Sequence, residues 1–178
     1  MSHCGTKLKQ QVKSDWLNPS NARQLGDVLR IERLTNPAPW SLNEVRHLLG
    51  HGHLCRIVLV GEFVAGFLMY QACQGGRRIT SIAVDPNVQR HGIGSFLIGC
   101  LKRQMAEVPR LSEIVAHVPE SQLVVQQFLR SNGFRWTETI QNASEEGVYI
   151  MKCVKPSGSS DVVVAEGSFR SAANPGQY

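Results

Sequence analysis

The sequence predicts a mixed α/β (α+β) domain, a central sheet flanked by helices in the order ααβββαβαββ, with room for an extra strand at its N-terminal edge. Three observations carry this. Between residues 56 and 84, runs rich in β-branched and aromatic residues are separated by short glycine turns, the punctuation of antiparallel strands. After Asp85-Pro86 the apolar period changes: Ile93, Phe96, Leu97, Cys100, Leu101 and Met105 recur at three- and four-residue intervals, one buried helix face, until Pro109. A chain of 178 residues that is 42% hydrophobic can fill one core with some tail to spare, and a second full domain is not expected.

The elements follow in order. Residues 1–20 are polar without a clear period, a weakly ordered segment that frays or forms an edge strand. Ala22, Leu25, Val28, Leu29 and Ile31 mark a first helix over 21–34, stopped by Asn36-Pro37-Ala38-Pro39. Ser41-Leu42-Asn43-Glu44 is a capping box, in which the hydroxyl accepts from the amide three residues on and the carboxylate reaches back. It starts a second helix running to about Leu49, with Trp40 stapling its entry. Residues 56–60 and 63–71 are strands joined by Gly61-Glu62, where glycine first suits a type II′ hairpin. Gly75-Gly76 turns the chain into a third strand over 78–84, completing a meander. The main helix opens behind Gly92-Ile93-Gly94. Residues 114–118 read as a short buried strand, and Leu123, Val124, Gln127, Phe128 and Leu129 as a helix closed by Asn132-Gly133, glycine taking the left-handed cap. Residues 134–140 and 147–154 are the last strands. The domain is expected over 21–155, and 156–178, rich in Ser, Gly, Ala and Pro, as a flexible tail.

Composition narrows the function. Lys and Arg number 19 against 14 Asp and Glu, a net charge of +5 that is scattered along the chain. That favours an anionic small ligand over a nucleic-acid track, and no direct nucleic-acid partner is expected. The 5 cysteines match neither a zinc knuckle nor a C-x-x-C pair and read as reduced thiols of a cytoplasmic protein. No apolar stretch is long enough for a leader or a membrane span, so no membrane association is expected. His51 and His53 around Gly52 suit a solvated turn better than a metal site, and His3-Cys4 offers only adventitious metal binding, so no metal is expected. Cys100, on the apolar helix face, reads as packing. Trp136 and Tyr149 fit either an acceptor site or the core.

Chemistry concentrates in Ile82-Ala83-Val84-Asp85-Pro86-Asn87-Val88-Gln89-Arg90-His91-Gly92-Ile93-Gly94-Ser95. A strand enters a tight two-glycine loop and the loop enters a helix, so several backbone N–H groups and the positive end of the helix dipole converge. Such a place binds an anion, and Gly92 and Gly94 let backbone approach a phosphate. A dinucleotide fingerprint would need glycine where Leu97 stands, and a Walker loop would need Gly-Lys-Ser/Thr, which the sequence lacks.

Gln89-Arg90-His91-Gly92-Ile93-Gly94 resembles the Q/R-x-x-G-x-G/A coenzyme A loop of the GNAT family of N-acetyltransferases, and Ile82-Ala83-Val84-Asp85-Pro86 is similar to the strand before it. Phe128-Leu129-Arg130-Ser131-Asn132-Gly133-Phe134 resembles that family's later helix and its Gly-Phe exit. With Pro39-Trp40-Ser41, the likeness is nearest to the RimI-type ribosomal-protein N-terminal alanine acetyltransferases and spans about 21–154. The resemblance implies a GNAT-like sheet with a V-shaped opening between the strands ending at Val84 and near Val118, into which the pantetheine of acetyl-CoA inserts. Backbone at Ile82, Ala83 and Val84 would hold it. The pyrophosphate would sit on the amides of Gln89, Arg90, His91, Gly92, Ile93, Gly94 and Ser95, with Arg90 or His91 adding charge. Gln122 stands where the RimI pattern has a cofactor-binding Asn.

The catalytic positions depart from that pattern. Where RimI-like enzymes carry a Glu base and a Tyr acid, this sequence has His117 and Leu129. Leucine cannot donate a proton. His117 either serves as the base, since imidazole with a pKa of ~6.5 is largely neutral at pH 7, or is a polar strand-end residue. The function expected is acetyl transfer from acetyl-CoA to a primary amine, with a protein N-terminal α-amine as acceptor. The rival readings are a coenzyme A-binding module without turnover and a small-amine acetyltransferase.

Overall fold

The computed structural model describes residues 12–141 and 146–156. The segment read as a tail lies outside them save for its first residue, as does His3-Cys4. Strands β1 (Val12–Trp16), β2 (His53–Val60), β3 (Phe63–Cys73), β4 (Gly76–Val84), β5 (Glu113–Pro119), β6 (Arg135–Gln141) and β7 (Gly147–Val154) form one seven-stranded sheet in the order β1-β2-β3-β4-β5-β7-β6. All neighbours are antiparallel except β4 and β5, which α3 (Ile93–Glu107) joins as a crossover. The remaining helices are α1 (Ala22–Thr35), α2 (Leu42–Gly50) and α4 (Leu123–Ser131). The mixed α/β architecture is the one the sequence predicts, and of the two readings of the N-terminal segment the edge strand is present, with Leu17 buried behind it.

Local chemistry explains the boundaries. Asn21 caps α1, its side-chain oxygen accepting from the Arg23 and Gln24 amides. The capping box of α2 is complete: the Ser41 amide donates to Glu44 at 2.7 Å and the Glu44 amide to the Ser41 hydroxyl at 3.3 Å. Gly61 turns at φ +62 while Glu62 stays out of the left-handed region, as a type II′ hairpin requires. β2 and β3 run longer than their β-rich cores suggest, because each residue's ladder bonds are supplied by the neighbouring strand whatever its own propensity. His51 and His53 are taken up at the end of α2, where their rings bond the His47 and Leu48 carbonyls. Among the described residues the cysteines are free, and no helix is long and apolar enough to cross a membrane.

Two apolar layers sandwich the sheet. On one face α1 and α2 cover Cys55, Ile57, Phe67 and Met69 with Leu25, Val28, Ile31 and Val45. On the other, Leu97, Ile98 and Leu101 of α3 and Leu129 of α4 cover Leu68, Ile79, Ile114 and Ala116. Cys100 of α3 is buried, as its place on the apolar face indicated.

Gly66 on β3 is where α3 meets the sheet. A Cβ there would lie 3.0 Å from the Ala83 carbonyl oxygen and 3.1 Å from Ile93. Gly66→Ala is therefore expected to lower stability by ~1–3 kcal/mol, through overpacking. Gly26→Ala, at an α1 position with nothing within 4 Å, is expected to raise it by up to ~1 kcal/mol through helix propensity. Urea denaturation of the two variants checks both signs.

Candidate functional site

β4 and β5 are paired only from Gly76↔Glu113 to Ile79↔Ala116. Beyond that, β4 stays on β3 as far as Val84 and β5 stays on β7 as far as Pro119, so each strand loses only the other. The divergence has a local cause. Against β3, Tyr70 faces Ile79 and Met69 faces Ser81, which leaves Thr80 as the extra residue of a bulge at the point where the strands part. The V-shaped opening is thus present. Its walls are 80–84 and 117–119, and it belongs to a groove of about 1170 Å³ that continues over the starts of α3 and α4.

The loop between β4 and α3 closes one end. Pro86–Val88 makes a 3-10 turn capped by Asp85, and the Gln89 side-chain amide donates to the Val84 carbonyl at 3.1 Å. Two left-handed residues follow, Arg90 at φ +65 and Gly92 at φ +81. No side chain caps α3, so the amides of its first turn point into the groove without an intrahelical acceptor. Gly94 has a reason beyond the one its spacing suggested: a Cβ there would lie 3.1 Å from the Phe128 ring, so glycine lets α3 and α4 approach.

The groove brings together Ile82, Ala83, Val84, Gln89, Arg90, Gly92, Ile93, Gly94 and Ser95 on one side with His117 and Gln122 on the other. His91 does not line it. Its ring turns back onto the Val88 and Gln89 carbonyls, at 3.3 and 2.8 Å, and ties the loop to itself, leaving Arg90 as the loop's side-chain cation on the groove. Gln122 is the residue before α4. Trp136 and Tyr149 lie outside the groove; Tyr149 packs against the core and donates its hydroxyl to Glu120. Leu129, at the expected acid position, is 1% exposed in the core.

Two groove-associated residues escaped the sequence reading. Gln126 is buried and donates to the carbonyls of Pro119 and Glu120, at 3.2 and 2.9 Å, which fastens the end of β5 to α4. Glu32 of α1 is also buried and lines the groove. It accepts from the Asn36 side chain at 2.6 Å and the Ser81 hydroxyl at 3.3 Å. Among the described residues, those lining the groove that ionise are Glu32, Arg90 and His117.

Their environments differ. His117 points to the α1 face of β5, opposite Ala116 and Val118, and also borders a recess of about 360 Å³ with Arg78 and Glu138. Burial and the Arg78 charge hold its pKa below the usual histidine value against the opposing pull of Glu138, which favours the neutral ring. At the other end, Asp85 pairs with Arg30 at 2.7 Å.

A sequence profile of the acetyltransferase (GNAT) family matches residues 25–134. The chain belongs to this family. It is a GNAT N-acetyltransferase whose acetyl donor is acetyl-CoA. No curated protein matches the chain in sequence. Among solved structures, the Escherichia coli ribosomal-protein-S18-alanine N-acetyltransferase superposes with TM-score 0.71 at 20% identity, over 84% of this chain and 98% of its own. Arabidopsis thaliana NAA60 in complex with acetyl-CoA superposes at 0.70 with 14% identity, over 81% and 98%. An aminoglycoside 6′-N-acetyltransferase complexed with coenzyme A does so at 0.69 with 14% identity, over 83% and 99%. At these identities the likeness is one of fold.

The Asp85–Arg30 pair gives a test of what holds the GNAT loop. Burial alone would raise the Asp85 pKa, but the Asn87 amide and the Arg30 guanidinium outweigh it and bring it below the ordinary carboxylate value. The resulting stability is present above the unfolded-state pKa of ~3.9 and is lost as pH falls through the lower folded value. Asp85→Asn is expected to cost ~1–2 kcal/mol at pH 7, modest because Arg30 is half exposed. The gap from wild type should narrow below about pH 4 in urea melts across pH.

Proposed function

We propose that the acceptor is a primary amine, with a protein or peptide N-terminal α-amine as the favoured substrate, and that His117 takes its proton. The observation that carries this is the parting of β4 from β5. It leaves a row of backbone N–H and C=O groups along β4 facing a groove with anion-binding amides at one end and a neutral imidazole on the opposite wall. An unpaired strand edge accepts an extended ligand bearing amides, and pantetheine is one. In this reading Ile82, Ala83 and Val84 hold the pantetheine and the Gln122 amide bonds it from the α4 side. The pyrophosphate lies on the amides from Gln89 to Ser95, with Arg90 adding charge. His91 acts indirectly, by fixing the loop.

The chemistry follows from that placement. The amine nitrogen attacks the thioester carbonyl carbon, forming the C–N bond. The carbonyl oxygen takes up negative charge near the Val84 backbone, the C–S bond breaks, and coenzyme A leaves as thiolate. One amine proton passes to the neutral His117 ring, directly or through a water. With a leucine buried at the acid position, the thiolate takes its proton from solvent. The α-amine acceptor is supported by the fold likeness to an enzyme named for the alanine of ribosomal protein S18. The aminoglycoside enzyme among the neighbours keeps a small amine as the second reading. The cysteines among the described residues are free, and a cytoplasmic setting is part of this reading.

Gly92→Asp tests the loop. A Cβ at Gly92 meets nothing within 4 Å, so the fold should survive at a cost of ~1–2 kcal/mol for the left-handed backbone. The added carboxylate stands where the pyrophosphate is held, and calorimetry should show no heat of coenzyme A binding. His117→Gln tests the base. Because the His117 pKa is lowered, wild-type kcat/KM should rise with pH through a limb below ~6.5 and again through the acceptor's own α-amine near ~8. The variant should keep the upper limb, lose the lower one, and fall by ~10²-fold or more with coenzyme A affinity intact. A twofold change would make His117 structural. Tight coenzyme A binding by the wild type with no transfer to any amine would overturn the amine acceptor.

A further inference from the structure

Glu32 stands apart from every other charge near the groove. It is 1% exposed, yet among the described residues no Lys, Arg or His lies within ion-pair distance of it. Its α1 neighbour Arg30 is committed to Asp27 and Asp85. The two groups that bond Glu32, the Asn36 amide and the Ser81 hydroxyl, are neutral, and a carboxylate accepts about four hydrogen bonds. A buried charge with half its acceptor capacity unused is costly unless an opposite charge reaches it. The groove is the route by which one can.

The location selects which charge. Along β4, Ile82 and Val84 pack toward α3, whereas Ala83 packs toward α1 and Ser81 bonds the α1 residue Glu32. On β5, Ala116 and Val118 pack toward α3, so His117 faces the α1 side. Glu32 with Ser81 and His117 are therefore on the same face of the two diverging strands, one on each wall of the V. The anion-binding loop, with Arg90 and the open end of α3, is at the far end of β4. Charge is distributed unevenly along the groove: its cationic end suits a phosphate donor, and Glu32, the one carboxylate among its described lining residues, suits a cation.

We propose that Glu32 is the acceptor-recognition group, its carboxylate receiving the substrate's primary ammonium between Ser81 and His117 and so selecting amines over neutral nucleophiles. The assignment rests on acetyl transfer to an amine as proposed above and adds the residue that chooses the amine. Asn36 and Ser81 are positioning residues that hold the carboxylate. The ammonium gives one proton to His117 on its way to attack, and the nitrogen's second proton leaves to solvent as the amide forms.

The test uses a short peptide with a free N-terminal amine and the matching peptide in which a hydroxyl replaces that amine, both titrated onto the full chain saturated with coenzyme A. Wild type should bind the amine at least ~10-fold more tightly, the scale of a hydrogen bond to a buried charge. Glu32→Gln should bind the two within about twofold of each other and raise KM for the amine by ~10-fold, with coenzyme A affinity unchanged. Glu32→Asp, which keeps the charge, should keep the preference for the amine. A merely structural role would lower Tm without changing the ratio of amine to hydroxyl affinity. An unchanged ratio in Glu32→Gln with active wild type overturns this inference alone, and so does equal affinity in the wild type, a measurement that stands if the variant does not fold. A wild type that binds coenzyme A but acetylates no amine overturns the parent reading and this one together.

Discussion

The site exists because two parallel strands stop pairing halfway. β4 and β5 share four residues each of ladder and then part at Thr80, whose insertion as a bulge turns β4 away. Each strand could make the turn because each keeps its other partner: β3 carries β4 to Val84, and β7 carries β5 to Pro119. Packing then fixes the walls. Ile93 sits over Gly66 and holds the loop end of β4 against β3, while Gln126 takes the carbonyls at the end of β5. The unpaired edge that remains would be a hazard on an outer strand. Inside a groove it is a binding surface of fixed spacing.

Electrostatics follow from this geometry. An anion held by the first turn of α3 would be opposed by Asp85, which lies at the mouth of the same loop. Arg30 neutralises that carboxylate from α1, and Asn87 satisfies it from within the loop. The loop therefore keeps an acidic residue as the cap of its 3-10 turn without presenting an uncompensated negative charge beside the open end of α3. Glu32, two residues beyond Arg30 on α1, has no such partner among the described residues, and the contrast between the two carboxylates gives the groove its direction.

Much of this was legible because periodicity reports burial directly. The α3 stripe from Ile93 to Met105 and the capping box at Ser41 are local patterns, and the helices they specify are found where the patterns put them. The bulge left a trace that went unread: Ile79, Ile82 and Val84 all face α3, a spacing of three and then two, which a regular strand does not allow. Glu32 was not legible, since a Glu on an amphipathic helix ordinarily faces solvent and only the packing of α1 on β3 and β4 buries it. The same limit applies to His91 and Gly94. The family resemblance put both in the coenzyme A loop, but the ring of one turns back onto the loop's own carbonyls and the missing side chain of the other makes room for Phe128.

In the mechanism proposed above, a leucine at the acid position weighs less than a base at His117, for reasons of ordinary acidity. A thiol has a pKa of ~8.5, so its thiolate leaves without prior protonation and is protonated by water afterwards. An α-amine near ~8 is mostly ammonium at pH 7 and cannot attack until a proton is removed. A site short of one catalytic group therefore does better to keep the one on the amine side. His117, held neutral by burial and by Arg78, can accept that proton, whereas a ring paired to a carboxylate would already be charged. The substitution of His for Glu and the burial of Leu129 are then compatible with turnover. They shift the demand onto the steps before attack: capture of the ammonium and transfer of its proton across the opening of the V.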